Sequence, residues 1–301
     1  MRYRVRYRGE GDPVRCIPYR GRRQPGRSAM LFVVLAAVSL CAGAGQLPHA
    51  RSVLINISGG LELFSDYYAP PQGTAPGLLL LHGWDWPDHS PANGLRVFAR
   101  EFQRAGYGVL VPNMRGWPPT GGRDDCGGRQ VEDSLSALEW LGARGSVDPR
   151  RLFVAGYSQG GQVALLAATR GAPVRAVTAF APVTDLQSWA ERTDTPGIRG
   201  YLHAECGGPP GWPARSALEK ATRLFPPVLL VHGENDRRVP TAQSLSLYRR
   251  LRDDRASAEL RLIPGVGHEI DSVLLPQLAI DFFAAFAKTK LPIAGQNGRL
   301  P

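Results

Sequence analysis

Three residues, far apart in the chain, are of the types that together carry out acyl transfer. Ser158 stands in Gly156-Tyr157-Ser158-Gln159-Gly160, where the apolar run Leu152 to Ala155 gives way to an alanine- and leucine-rich stretch. A serine held on a sharp strand-to-helix turn adopts φ > 0, and a Cβ two residues to either side would collide with the backbone, so only small neighbours fit there. A serine hydroxyl is a poor nucleophile at neutral pH and needs a base within hydrogen-bond reach, with a third group to orient that base. The stretch "LLVHGENDRRVP" closes an apolar run at His232-Gly233 and delivers Asp236, and "LIPGVGHEID" closes another and delivers His268. In this reading His268 takes the serine proton and later returns it to the leaving group. Asp236 sets the tautomer of His268 and stabilises the imidazolium.

Other residues compete for these roles. Glu234 lies two residues from Asp236, and Asp185 closes the preceding strand in "FAPVTDL", so either could supply the acid. His82 and His232 each end a strand before a glycine and are read as structural. The oxyanion that forms in acyl transfer needs preorganised donors. The backbone N–H of Gln159, just after the nucleophile, is one, and that of Trp84, in the loop after "LLLLHGWDWP", is the other. The chemistry calls for no cofactor and no metal.

The elements that must position these residues alternate along the chain. Strand-like runs at Val53–Ile57, Leu63–Ala69, Leu78–Leu81, Gly108–Val111, Leu152–Ala155, Val174–Phe180, Val228–Val231 and Glu259–Ile263 are interleaved with helical patterns. The helical patterns are at Leu95–Arg104, Val131–Arg144, Gln162–Thr169, Ala242–Arg252 and Ser272–Ala287. Continuous apolar strands between helices imply an α/β fold with a mostly parallel sheet of eight strands and helices on both faces. Serine, acid, then histidine, each after a strand, is the triad order of the α/β-hydrolase fold. Residues 184–224 break the rhythm with prolines, glycines and aromatics, and predict a small helical cap over the sheet's C-terminal edge. Trp84, Trp86, Trp117, Trp189 and Trp212 fall in loops or in this cap and are candidates to line a cleft for an apolar or aromatic group.

Charge points away from nucleic acid. Of the formal net charge of +10, residues 1–27 carry +7, from nine arginines against Glu10 and Asp12. The basicity therefore belongs mostly to a leader. Residues 28–44 are uncharged, largely apolar and end in Ala42-Gly43-Ala44, the pattern of a secretory signal peptide cut near Ala44, with Met30 as an alternative start. The expectation is a secreted or extracytoplasmic protein whose catalytic domain spans residues 45–301, with a retained membrane anchor as the alternative. Removal of the leader leaves Cys126 and Cys206, which in an exported protein predict one disulfide.

The stretches "GYSQGG", "APVTDL", "PPVLLVHGENDRRVP" and "GVGH", with "LLLLHG" and "NMRG", resemble the catalytic domain of the prolyl oligopeptidase family of serine peptidases over about residues 75–288. The resemblance implies the triad Ser158, Asp236 and His268. Large members carry an N-terminal β-propeller, for which residues 45–75 have no room. Family members often follow the first His-Gly with more glycine, where this chain has Trp84-Asp85-Trp86-Pro87. Proline specificity is therefore not implied. Propeller-free relatives include carboxylesterases and dienelactone-hydrolase-like enzymes. The expectation is a serine hydrolase of small peptide or ester substrates, with an acyltransferase or a catalytically inactive binding protein as rivals.

Overall fold

A computed structural model describes residues 15–16, 47–84, 94–222 and 225–287. The apolar leader segment read as a signal peptide lies outside them, as does Trp86. Among the described residues no helix is long and apolar enough to cross a membrane.

One sheet organises the chain. Its strands are β1 (Arg15–Cys16), β2 (Arg51–Ile57), β3 (Leu61–Tyr68), β4 (Ala75–Leu81), β5 (Gly108–Pro112), β6 (Val147–Tyr157), β7 (Val177–Phe180), β8 (Val228–Gly233) and β9 (Ala258–Ile263), in the spatial order β1-β9-β8-β7-β6-β4-β5-β3-β2. The pairings β2 with β3 and β3 with β5 are antiparallel, and every other pairing is parallel. This is the eight-stranded, mostly parallel α/β-hydrolase sheet, with the two-residue β1 added beside β9.

Burial follows topology. The interior strands β5 and β8 are buried at every position, as strands covered on both faces must be, whereas β2, at the edge, mixes exposed and buried residues. Leucines of β4 show the two-residue period directly: Leu79 and Leu81 join the core on one face, and Leu78 and Leu80 the core on the other. Helices α2 (Arg129–Gly142), α3 (Gln159–Thr169) and α7 (Ala242–Asp253) cover the first face. Helices α1 (Arg96–Arg104) and α8 (Leu274–Phe286) cover the second.

Strand β6 starts earlier than its apolar run suggests. Ala75 pairs with Val147 and Gly77 with Leu152, so residues 148–151, three of them charged, form an irregularity inside the strand. Asp148 holds it together by accepting from the Arg150 N–H and from the Arg150 and Arg151 side chains. The Arg150 N–H first, then these guanidiniums, lower its pKa to about 2. The pattern there is set by tertiary pairing, which hydrophobic periodicity does not report.

Between β7 and β8 the chain makes α4 (Leu186–Arg192), α5 (Ile198–Ala204), α6 (Gly208–Gly211) and two 3₁₀ turns. These share a separate small core that includes Leu186, Trp189, Leu202 and Trp212. Cys206 in this segment is disulfide-bonded to Cys126, with Cα atoms 5.2 Å apart, so the segment is tied to the loop after β5.

Candidate active site

Ser158 has φ 54° and ψ −115° and caps α3 at the end of β6. The flanking glycines are explained by what a side chain would meet. A Cβ on Gly156 would fall on the carbonyl of Gly160, and one on Gly160 would fall on the carbonyls of Leu81 and His82. The turn is closed by Ser158 N–H donating to Phe180 O at 2.8 Å and Gln162 N–H to Ser158 O at 3.1 Å. Strand β7 and the first turn of α3 therefore hold the strained serine from both sides.

The structure brings the three distant residues into one chain of hydrogen bonds. His268 Nε2 lies 3.1 Å from Ser158 Oγ, and His268 Nδ1 lies 2.7 Å from Asp236 Oδ2. An acidic partner on Nδ1 makes that nitrogen the donor and leaves Nε2 to accept the serine proton. Ser158, Asp236 and His268 are all buried, at 7, 6 and 8% exposure, so their interactions are weakly screened.

The loops that carry Asp236 and His268 are pressed together. Asn235 N–H donates to Val266 O at 2.8 Å, and a Cβ on Gly233 would fall on the carbonyl of Gly267. Gly233 is thus required by the approach of the His268 loop, a relation that its place beside His232 does not disclose.

Asp236 has more partners than the triad alone supplies. Its Oδ1 accepts from the Val239 N–H at 2.9 Å, and His232 Nε2 lies 3.2 Å from its Oδ2. Burial pushes the carboxyl up, but hydrogen bonds from His232, His268 and the Val239 N–H outweigh it. The net effect holds Asp236 well below the usual carboxylate range. His232, read from sequence as structural, also contacts Val239 O and Ser244 Oγ, so it is both a core residue and a partner of the acid.

The competing acids are placed elsewhere. Asp185 caps α4 by accepting from the N–H groups of Gln187 and Ser188, and Glu234 is exposed. Neither is among the partners of His268.

Of the two expected oxyanion donors, Gln159 is the first residue of α3, where backbone N–H groups have no intrahelical acceptor. A Cβ on Gly83 would lie 3.2 Å from Ser158 Cβ, so the Gly83–Trp84 peptide runs beside the nucleophile. His82 orients that peptide. The Met114 N–H donates to His82 Nε2 at 2.9 Å, which makes Nδ1 the protonated nitrogen, and Nδ1 donates to Gly83 O at 2.7 Å. In a trans peptide the N–H points opposite to the carbonyl, so fixing Gly83 O also fixes the Trp84 N–H.

The tryptophans divide. Trp84 is partly exposed, follows the Gly83 that lies against Ser158, and packs against Trp117 and Tyr201. Trp189 and Trp212 are buried, and their indole N–H groups donate to the carbonyls of Arg238 and Leu202. They serve as core of the segment after β7, whereas loop position alone had made them cleft candidates. Among the described residues no cluster of side chains suits a metal ion.

The chain matches the family model for the prolyl oligopeptidase family over residues 95–292. It is 28% identical to the uncharacterized peptidase YtmA of Bacillus subtilis over 50% of this chain and 61% of that protein. It is 27% identical to acylamino-acid-releasing enzyme 2 of rice over 69% of this chain and 29% of that enzyme. Among solved structures, a puromycin-hydrolyzing peptidase of Mycobacterium tuberculosis superposes with a TM-score of 0.73 at 26% identity, over 84% of this chain and 41% of that one. The chain thus spans less than two-thirds of the length of each of these three. From the family match and the sheet order together, the chain belongs to the prolyl oligopeptidase family, whose matching members carry the same α/β-hydrolase fold.

Proposed function

We propose that the protein is a serine hydrolase that forms an acyl-enzyme on Ser158 and acts on small peptide or ester substrates. The observation that carries this reading is the unbroken path Ser158 Oγ, His268, Asp236 in a buried site. As Ser158 Oγ bonds to the acyl carbon, its proton passes to His268 Nε2 and the carbonyl electrons move onto oxygen. The Gln159 and Trp84 N–H groups face that oxyanion. Collapse expels the leaving group, which takes the proton from His268. Water then attacks the acyl-enzyme by the same route and regenerates the serine.

Peptide substrates are favoured by membership of a peptidase family. Esters have better leaving groups than amides, so the same site should also turn over activated esters. The domain reading places residues 45–301 as the catalytic domain and 184–224 as its cap. Export after removal of residues 1–44 is in keeping with the Cys126–Cys206 bond, because such bonds persist in oxidising compartments.

The test is fluorophosphonate labelling of the purified protein, followed by assay on p-nitrophenyl esters and peptide p-nitroanilides. Labelling and turnover that both vanish in Ser158→Ala, with the fold retained, are expected. Turnover that survives the substitution would overturn the assignment.

A further inference from the structure

Asp124 is a buried carboxylate whose hydrogen-bond partners are four neutral donors. A buried charge that faces no cation is expensive to hold, and the path from Ser158 through His268 to Asp236 does not use this one. Two of the donors are local: the Cys126 N–H and Gln130 Nε2 reach Oδ1 at 3.0 and 2.9 Å and shape the loop after β5. The other two come from across the fold. Gln159 Nε2 donates to Oδ1 and Oδ2 at 2.8 and 2.9 Å, and the Tyr201 hydroxyl donates to Oδ2 at 2.9 Å. Gln159 Nε2 also donates to the Tyr201 hydroxyl at 2.9 Å, so the three side chains hold one another. Burial raises the pKa of Asp124, and the four donors offset part of that rise.

Both distant partners lead to the residues expected to supply the oxyanion donors. Gln159 is one of these residues, and its side chain is fixed from the Nε2 end alone, because its buried Oε1 has no partner. The Gln159 N–H is aimed by ψ of Ser158, −115° in a residue whose φ is 54°. A strained torsion persists only where its surroundings hold it, and a side-chain anchor on the next residue opposes rotation of that peptide. Trp84 is the other, and its ring lies against that of Tyr201 with centroids 5.6 Å apart. Asp124 therefore grips the first residue directly and backs the second through one intervening ring.

We propose that Asp124 is a positioning residue for the oxyanion site, holding Gln159 by its side-chain amide and Trp84 through Tyr201. The inference rests on the acyl-enzyme reading and assigns Asp124 no contact with substrate.

The test breaks the Asp124–Gln159 bond and then rebuilds it with donor and acceptor exchanged. In Gln159→Glu two carboxylates face each other. Adding Asp124→Asn lets an amide at position 124 donate to the carboxylate at position 159, while its oxygen still accepts from the Cys126 N–H and Gln130. The readouts are kcat and KM on a p-nitrophenyl ester and the Ki of an alkyl trifluoromethyl ketone. Ser158 Oγ adds to the ketone carbon, the serine proton passes to His268 and the carbonyl electrons move onto oxygen, so this adduct carries the oxyanion. Gln159→Met and Gln159→Glu should each lower kcat about 10-fold at little-changed KM and raise Ki by the same factor, a misaimed donor mattering less than the loss of about 10²-fold for a missing one. The double variant should return both quantities to within about 3-fold of wild type, the scale of one imperfect hydrogen bond. Tyr201→Phe keeps the ring on Trp84 and removes only the shared hydroxyl, so it should cost about 3-fold in both, and it carries the test if Gln159→Met fails to fold. Folded variants with unchanged kcat and Ki, a loss of kcat that Ki does not follow, or no recovery in the double variant would overturn the proposal. Those results leave the acyl-enzyme in place so long as wild-type turnover vanishes in Ser158→Ala, whereas turnover that survives that substitution removes both readings.

Discussion

The hydroxyl of Tyr157 donates a hydrogen bond to the backbone carbonyl of His268, so the residue before Ser158 holds the peptide of His268. Their rings also meet edge to face, with centroids 5.6 Å apart. Burial first, then the charge of Glu269, pushes the phenol well above its ordinary pKa, so it stays a donor throughout the working range. In the proposed mechanism Tyr157 is thus a positioning residue, acting through the His268 loop rather than on substrate.

Tyr157→Phe should keep the fold and lower kcat by about 10-fold, the scale of a misplaced base. KM should change little, since the hydroxyl is committed to the His268 carbonyl. A rise in KM with kcat unchanged would show instead that the hydroxyl serves substrate binding.

His82 gives a second prediction. Because it locks Gly83 O and through it the Trp84 N–H, His82→Phe should lower kcat by about 10²-fold, as loss of one oxyanion donor does in other enzymes. His82→Asn, which can still accept from Met114 and donate to Gly83 in part, should recover some of that loss. Both variants should still react with a fluorophosphonate, more slowly. Equal activity of His82→Phe and wild type would remove the Gly83–Trp84 peptide from the oxyanion site.

The depressed pKa of Asp236 makes a statement about stability. A carboxyl lower in the folded than in the unfolded chain, where it titrates at about 4, stabilises fully above that value and loses its contribution as pH falls through the folded pKa. The Tm difference between wild type and Asp236→Asn should therefore be largest above about pH 5 and should shrink steadily below pH 4. A difference that stays constant from pH 7 to pH 2.5 would mean that the groups facing Asp236, His232 and His268 among them, do not favour its charged form.

The Cys126–Cys206 bond closes a separation of 80 residues between the loop that carries Asp124 and the segment that carries Tyr201. A bridge of this kind contributes about 2–4 kcal/mol. Reduction, or Cys126→Ser with Cys206→Ser, should lower Tm by about 5–15 °C. Two free thiols in protein recovered from outside the cytoplasm would argue against the bridge, and an N-terminus far from Gly45 would argue against cleavage near Ala44.

What the sequence determined by itself is what short-range chemistry encodes. Glycines two residues either side of Ser158 report a turn that no Cβ could enter, and apolar runs such as Leu78–Leu81 report strands buried on both faces. The serine, acid and histidine order after successive strands was legible because each stands at a strand end, a local feature. Tertiary structure decided the rest, because it concerns distances between residues that the chain separates widely. Nothing local distinguishes Asp236 from Asp185: one meets His268 across 32 residues, and the other turns back to cap its own helix. The same holds for His232 against the acid, Tyr157 against the base 111 residues away, and Gln159 against Asp124 and Tyr201. Loop position made Trp189 and Trp212 cleft candidates, and only packing revealed them as core. A side chain's type sets what it can donate or accept, but burial and the partner across the fold settle which of those capacities is used.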